Sequence, residues 1–208
     1  MSAHLDEPLQ AHSVDLVFPL GGHRLPRDSA PLLSAALQRE LPWLEHEPMA
    51  GIHPLKLVPG TGADALLSHR TRLLIRLPRS RLDEAVTLAG RPMELNGSTV
   101  TLGEPHPREL LPHRTLYAHA VAAEDDDESA FMQITQTVLD ELQIRTQVIC
   151  GKRHQHHWPA GAVTTFSLML HGLTPPDSLR LQELGLGRHR LLGCGIFVPH
   201  KSAAAVGD

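Results

Sequence analysis

The residues best suited to chemistry crowd into positions 184–201, LGLGRHRLLGCGIFVPHK. Gly185, Gly187, Gly193 and Gly195 surround Arg188, His189 and Arg190, and the apolar run Ile196, Phe197, Val198 follows. Glycine lets backbone approach a ligand closely and take φ > 0. Free N–H groups in such a loop form an anion-binding concavity, and neighbouring arginines add bidentate phosphate donors. The pattern suits a loop that tracks phosphates and leads into a buried strand. The same spacing also fits a plain glycine-rich hairpin between a helix and the last strand. It is not a nucleotide fingerprint: His189 and Arg190 occupy the place of a third glycine, no apolar strand immediately precedes it and no long helix follows. A polymer of phosphates fits it better than one mononucleotide.

Charge points the same way. The net charge is −4, yet residues 145–201 hold seven lysines and arginines against two acids, a net +5. A basic C-terminal part on an acidic chain is an electrostatic footprint for a polyanion. Six histidines in that segment add charge near their pKa. Lys152 and Arg153 open a polar run, GKRHQHHWPAG, expected to form a hairpin tip with both side chains on phosphate and Trp158 stacked on a base; a solvated turn is the alternative. His154, His156 and His157 have no cysteine pair nearby to complete a zinc site, and no metal or cofactor is expected. Lys201 closes the basic segment.

These residues need elements to hold them. The 208 residues suffice for two domains of about 100 each. No apolar run reaches membrane length, the N-terminus lacks the blocks of a signal peptide, and Cys150 and Cys194 have no metal or redox spacing. A cytoplasmic chain is expected. Residues 14–20 predict a strand and 30–41 a helix that Asp28 or Ser29 can cap. Residues 71–77 predict a strand, 80–89 a short helix, and 93–102 a hairpin around Asn96-Gly97. The second half repeats the order: strand 115–122, an acidic loop, helix 130–142, strands 145–150 and 163–170, helix 174–184 and a last strand 191–198. Two β-α-β-β-α-β units predict an α+β chain of tandem ferredoxin-like domains. The expected bounds are 14–104 and 112–201, with flexible tails at 1–13 and 202–208.

The run HGLTPPDSLRLQELGLGRHRLLGCGIFVP, residues 171–199, closely resembles the C-terminal ending of the CRISPR-associated repeat-RNA endoribonucleases, the Cas-six family. Further matches lie in VDLVFPLGGHRLPRD, IHPLK, LLIRLP and LAGRPMELNGSTVTLGEP. The resemblance implies two ferredoxin-like domains, metal-independent cleavage of precursor CRISPR RNA within its repeat, and an enzyme that stays on the cleaved hairpin beside other effector subunits. No membrane is implied.

Such cleavage needs a base for a ribose 2′-hydroxyl, an acid for the leaving 5′-oxygen and donors for the phosphorane. The resembling family commonly carries Asp-His at the start of the first helix, whereas this chain has Asp28-Ser29. Serine is no general base at neutral pH. The candidates for the vacant role are His46, in a connector where some branches of the family place their histidine, then His53 and His23. Lys56 is available for phosphate charge. With Ser29 in the usual histidine's place, a non-cleaving subunit that binds the RNA hairpin is the rival expectation.

Overall fold

The computed structural model describes residues 9–60 and 63–201. The expected tails lie outside these residues at 1–8 and 202–208. Positions 9–13 are not loose: Ser13 begins the first strand, Ala11 is buried, and the Ser13 N–H donates to Glu183 Oε1 at 3.0 Å. Among the described residues no helix is long and apolar enough to cross a membrane.

The N-terminal half is built on β1 (Ser13–Gly21), followed by β2 (Arg24–Pro26), α1 (Ala30–Glu40) and β3 (Gly51–Ile52). Then come β4 (Val58–Pro59), β5 (Asp64–Leu66) and β6 (Arg72–Pro78). The helix expected at 80–89 is broken into a short α2 (Leu82–Ala85) between 3₁₀ turns. The hairpin β7 (Pro92–Leu95) and β8 (Ser98–Leu102) turns at Asn96-Gly97, both at positive φ, as a two-residue hairpin loop requires. The sheet order β3-β6-β1-β8 is the ferredoxin-like arrangement, with β7 added at the edge. β2, β4 and β5 form a separate small sheet. The segment expected as a connector contains β9 (His106–Glu109), which pairs with β1.

The C-terminal half runs β10 (Thr115–Ala122), α3 (Glu128–Glu141), β11 (Gln147–Trp158), β12 (Gly161–His171), α4 (Pro175–Leu184) and β13 (Val198–Pro199). Its sheet order, β11-β12-β10-β13, repeats the same arrangement. The acidic loop caps α3, since Asp127 accepts from the N–H groups of Ser129 and Ala130, where negative charge suits the helix dipole. Two large apolar clusters result, one around Phe18, Leu37 and Ile75, the other around Phe131, Phe166 and Phe197, with a small third of Ala11, Leu110 and Leu179.

Two expectations change here. The basic run GKRHQHHW is not a hairpin tip but the second half of β11, paired with β12 from Arg153↔Phe166 to Trp158↔Gly161. The last strand is reduced to two residues, because residues 190–192 form a 3₁₀ turn.

A β-bulge decides which way the β11 histidines face. Cys150 pairs with Leu168 and Arg153 with Phe166, so three steps on β11 oppose two on β12. An extra residue reverses side-chain parity beyond it. Before the bulge the even-numbered Val148 and Cys150 pack on the core. After it, Arg153 lies opposite the core residue Phe166, and His154, His156 and Trp158 take the opposite sheet face. β10 has a matching irregularity between Ala118 and Val121.

Candidate nucleic-acid interface

The junction between the domains is held by two arginines at the end of α4. A helix C-terminus leaves carbonyls without intrahelical partners and favours cations. Arg76, from β6 and 1% exposed, donates through Nη1 to Gln182 O and Phe197 O, both at 2.8 Å. Its Nε and Nη2 hold both carboxylate oxygens of Asp15, at 2.8 and 3.2 Å. Arg190 donates to Glu183 O at 2.9 Å, Met49 O at 3.1 Å and Ala50 O at 3.1 Å. Burial, with the like charge of Arg76 behind it, lowers Arg190 to about 10, so its guanidinium stays charged at neutral pH.

This arrangement corrects several expectations. Arg190 is not a phosphate donor, because its N–H groups are committed to protein carbonyls. Gly185, Gly187 and Gly193 do stand at positive φ, but they approach protein. A Cβ on Gly185 would overlap the Arg190 guanidinium, one on Gly187 would lie 3.3 Å from Ala122 O, and one on Gly193 would lie 3.0 Å from Pro54. His53 is buried, with Nε2 3.0 Å from Asp15 Oδ1. Burial lowers its pKa, Asp15 opposes through its hydrogen bond and charge without overcoming that, and the charges of Arg76 and Arg108 push the same way as burial; the neutral ring is favoured within an ionic cluster that is itself buried. Ser29 is 4% exposed, and its carbonyl accepts from Leu33 N. Neither Ser29 nor His53 is placed to touch RNA.

The other candidates remain on the surface. His23 is exposed near β2, and His46 is exposed at the end of the 3₁₀ turn Pro42–His46. An open groove of about 410 Å³ runs between α1, the connector beyond it and residues 187–192. Glu45 and Glu47 line that groove and His46 does not. Lys152 and Lys201 are exposed; Arg153 is exposed and paired with Asp126 at 3.1 Å. Among the described residues no group of His, Cys, Asp or Glu is arranged to hold a metal ion.

Arg188 and His189 are exposed at the mouth of the groove. His189 holds an αL conformation at φ 66°, uncommon for a residue other than glycine. Its ring lies 5.6 Å edge-on from Trp158, which stacks on His156 at 5.1 Å and 20°. On the same sheet His154 packs against His119 at 5.6 Å, and Tyr117 packs against His200 at 5.4 Å. Imidazole and aromatic rings therefore spread across the free face of the C-terminal sheet and reach the glycine-rich loop. The alternation His154-x-His156-x-Trp158 is a strand signal; it is what could have revealed this row from sequence.

Tandem ferredoxin-like domains, with a basic loop and a ring-lined face on the C-terminal sheet, define the class of the protein. The sequence model described as "Cas6 Crispr" matches residues 14–202. The "CRISPR-associated endonuclease Cas6" of Myxococcus xanthus (strain DK1622) is 35% identical over 194 residues, covering 93% of this chain and 84% of that protein. The chain belongs to the Cas6 family. Its fold is shared by a solved "CRISPR associated protein Cas6", with a TM-score of 0.65 at 9% identity over 91% of this chain and 100% of that one. It is shared too by a Cas6-related protein from Pyrococcus furiosus, with a TM-score of 0.59 at 11% identity over 89% and 98%. Thermus thermophilus Cse3, solved bound to an RNA representing a pre-cleavage complex, has a TM-score of 0.51 at 14% identity over 91% and 98%.

Proposed function

We propose that this protein is a metal-independent endoribonuclease that cuts precursor CRISPR RNA within its repeat by 2′-hydroxyl attack and stays on the product hairpin in an effector complex. Family membership supports RNA processing. The observation that carries the site is the contact between the exposed Arg188–His189 tip and the Trp158–His156 pair, which joins a phosphate donor, a stacking surface and imidazoles. The reaction forms a bond from the 2′-oxygen to phosphorus and breaks the bond to the 5′-oxygen, leaving a 2′,3′-cyclic phosphate and a 5′-hydroxyl. Purified protein with its own locus's repeat RNA in EDTA is expected to give one cut, and a 2′-deoxy nucleotide at the scissile position is expected to abolish that cut while binding persists. Loss of cutting on chelation, restored by metal, would overturn the metal-free mechanism.

The burial of Ser29 favours a second reading, a subunit that holds the 3′ hairpin of the guide without cutting it. Tight binding with no cut in the same experiment selects it. Under either reading Arg188→Ala is expected to weaken hairpin binding and reduce the slope of log K against log salt by about 1. An unchanged slope removes Arg188 from the interface.

A further inference from the structure

We infer that His156, on β11, is the general base that takes the 2′-hydroxyl proton, in the role left vacant at Ser29; this rests on the nuclease reading above. The inference starts from placement. The bulge in β11 turns His156 onto the free sheet face, and the charge of Asp28, at the start of α1, acts on its ring. Through Trp158 the ring is also linked to His189 of the glycine-rich loop. His156 is only half-buried, so part of it is accessible.

The ring is also oriented. His156 Nε2 lies 3.2 Å from Oγ1 of the fully buried Thr165. When Nε2–H donates to that hydroxyl, Nδ1 keeps its lone pair. Trp158 covers one face of the imidazole and fixes its plane. A base must be held in the tautomer and direction that meet the proton. Thr165 and Trp158 act as positioning residues.

The surroundings favour the neutral form of the ring. Burial is the largest cause of a pKa below the ordinary histidine value; His154 and His119 push it the same way, and Asp28 opposes them. His189, in the loop, carries its own lowered pKa from burial and from Arg188. In the proposed step His156 Nδ1 accepts the 2′-hydroxyl proton as the 2′-oxygen bonds to phosphorus. The P–O5′ bond breaks, and the leaving oxygen takes a proton from solvent. Arg188, beside His189 in the loop that meets Trp158, supplies the cation for the phosphate charge.

The test is single-turnover cleavage of the repeat RNA in EDTA, with RNA affinity measured separately. His156→Ala is expected to slow cleavage about 10²–10⁴-fold, far more than it weakens binding, and added imidazole is expected to raise its rate in proportion to concentration. The wild-type rate should climb with pH and level off with an apparent pKa below about 6.5; Thr165→Val should shift that profile while keeping binding. A His156→Ala protein that cuts at the wild-type rate overturns the inference and leaves the nuclease reading standing. A slow variant that imidazole fails to rescue assigns the loss to packing and overturns it as well. No cut by the wild-type protein overturns the nuclease reading and this inference together.

Discussion

Arg76→Met is expected to destabilise the protein by about 3–5 kcal/mol, the cost of removing one partner from a buried ion pair. The substitution leaves Asp15, itself 1% exposed, with only the neutral His53 and Arg108, whose side chain is 54% exposed. It also strips the carbonyls of Gln182 and Phe197 of their donor. Equilibrium unfolding in urea measures the loss, and a double-mutant cycle with Asp15→Asn separates the carboxylate's share from that of the two carbonyls. An Arg76→Met protein within about 1 kcal/mol of wild type would show that the cluster is dispensable. The same cluster sets an acid limit. Burial acts to raise the Asp15 pKa, but the His53 hydrogen bond and the Arg76 charge overcome it and hold the carboxyl well below its usual range. A depressed carboxyl pKa contributes stability above the unfolded value of about 3.9, and that contribution is lost as pH falls below it.

Gly195→Ala is expected to cost about 2–4 kcal/mol, combining left-handed backbone strain with overpacking. Gly195 stands at φ 66°, and an added Cβ would overlap the carbonyl of Leu186. Its N–H donates to Ala120 O at 2.7 Å and its carbonyl accepts from Leu186 N, so neither neighbour can retreat without losing a bond. The midpoint of denaturation reports this. A phosphate-tracking glycine would behave differently: affinity for RNA would fall while the midpoint held. That outcome would return the loop to its first interpretation.

Those two positions show where sequence reasoning stops. The order of elements was legible because the mostly apolar run of residues 14–20, the Asn96-Gly97 turn and the apolar side of α3 are local signals. The need for glycine after α4 was legible too. What a glycine makes room for was not, because a phosphate and a carbonyl of the chain itself demand the same bare backbone. Arg190 has the same ambiguity: a guanidinium suits helix-end carbonyls as well as phosphates. β11 was cut short because a polar run beside Pro159 reads as a turn, although His154, His156 and Trp158 alternate as a strand does. His156 was weighed there only as a metal ligand, since its partner Thr165 comes from the neighbouring strand.

The arginines that close α4 also bear on how the protein meets its ligand. Rocking one domain against the other would pull Arg76 from Gln182 and Phe197, and Arg190 from Met49 and Ala50, leaving buried carbonyls dry. Each such carbonyl carries a desolvation penalty of about 1–3 kcal/mol. The cleft is therefore set before any ligand arrives, and the entropy of aligning its two walls is spent during folding rather than at the encounter. Under the function proposed above, shape adjustment falls to the RNA, and selection among hairpins turns on how cheaply each one deforms to fit.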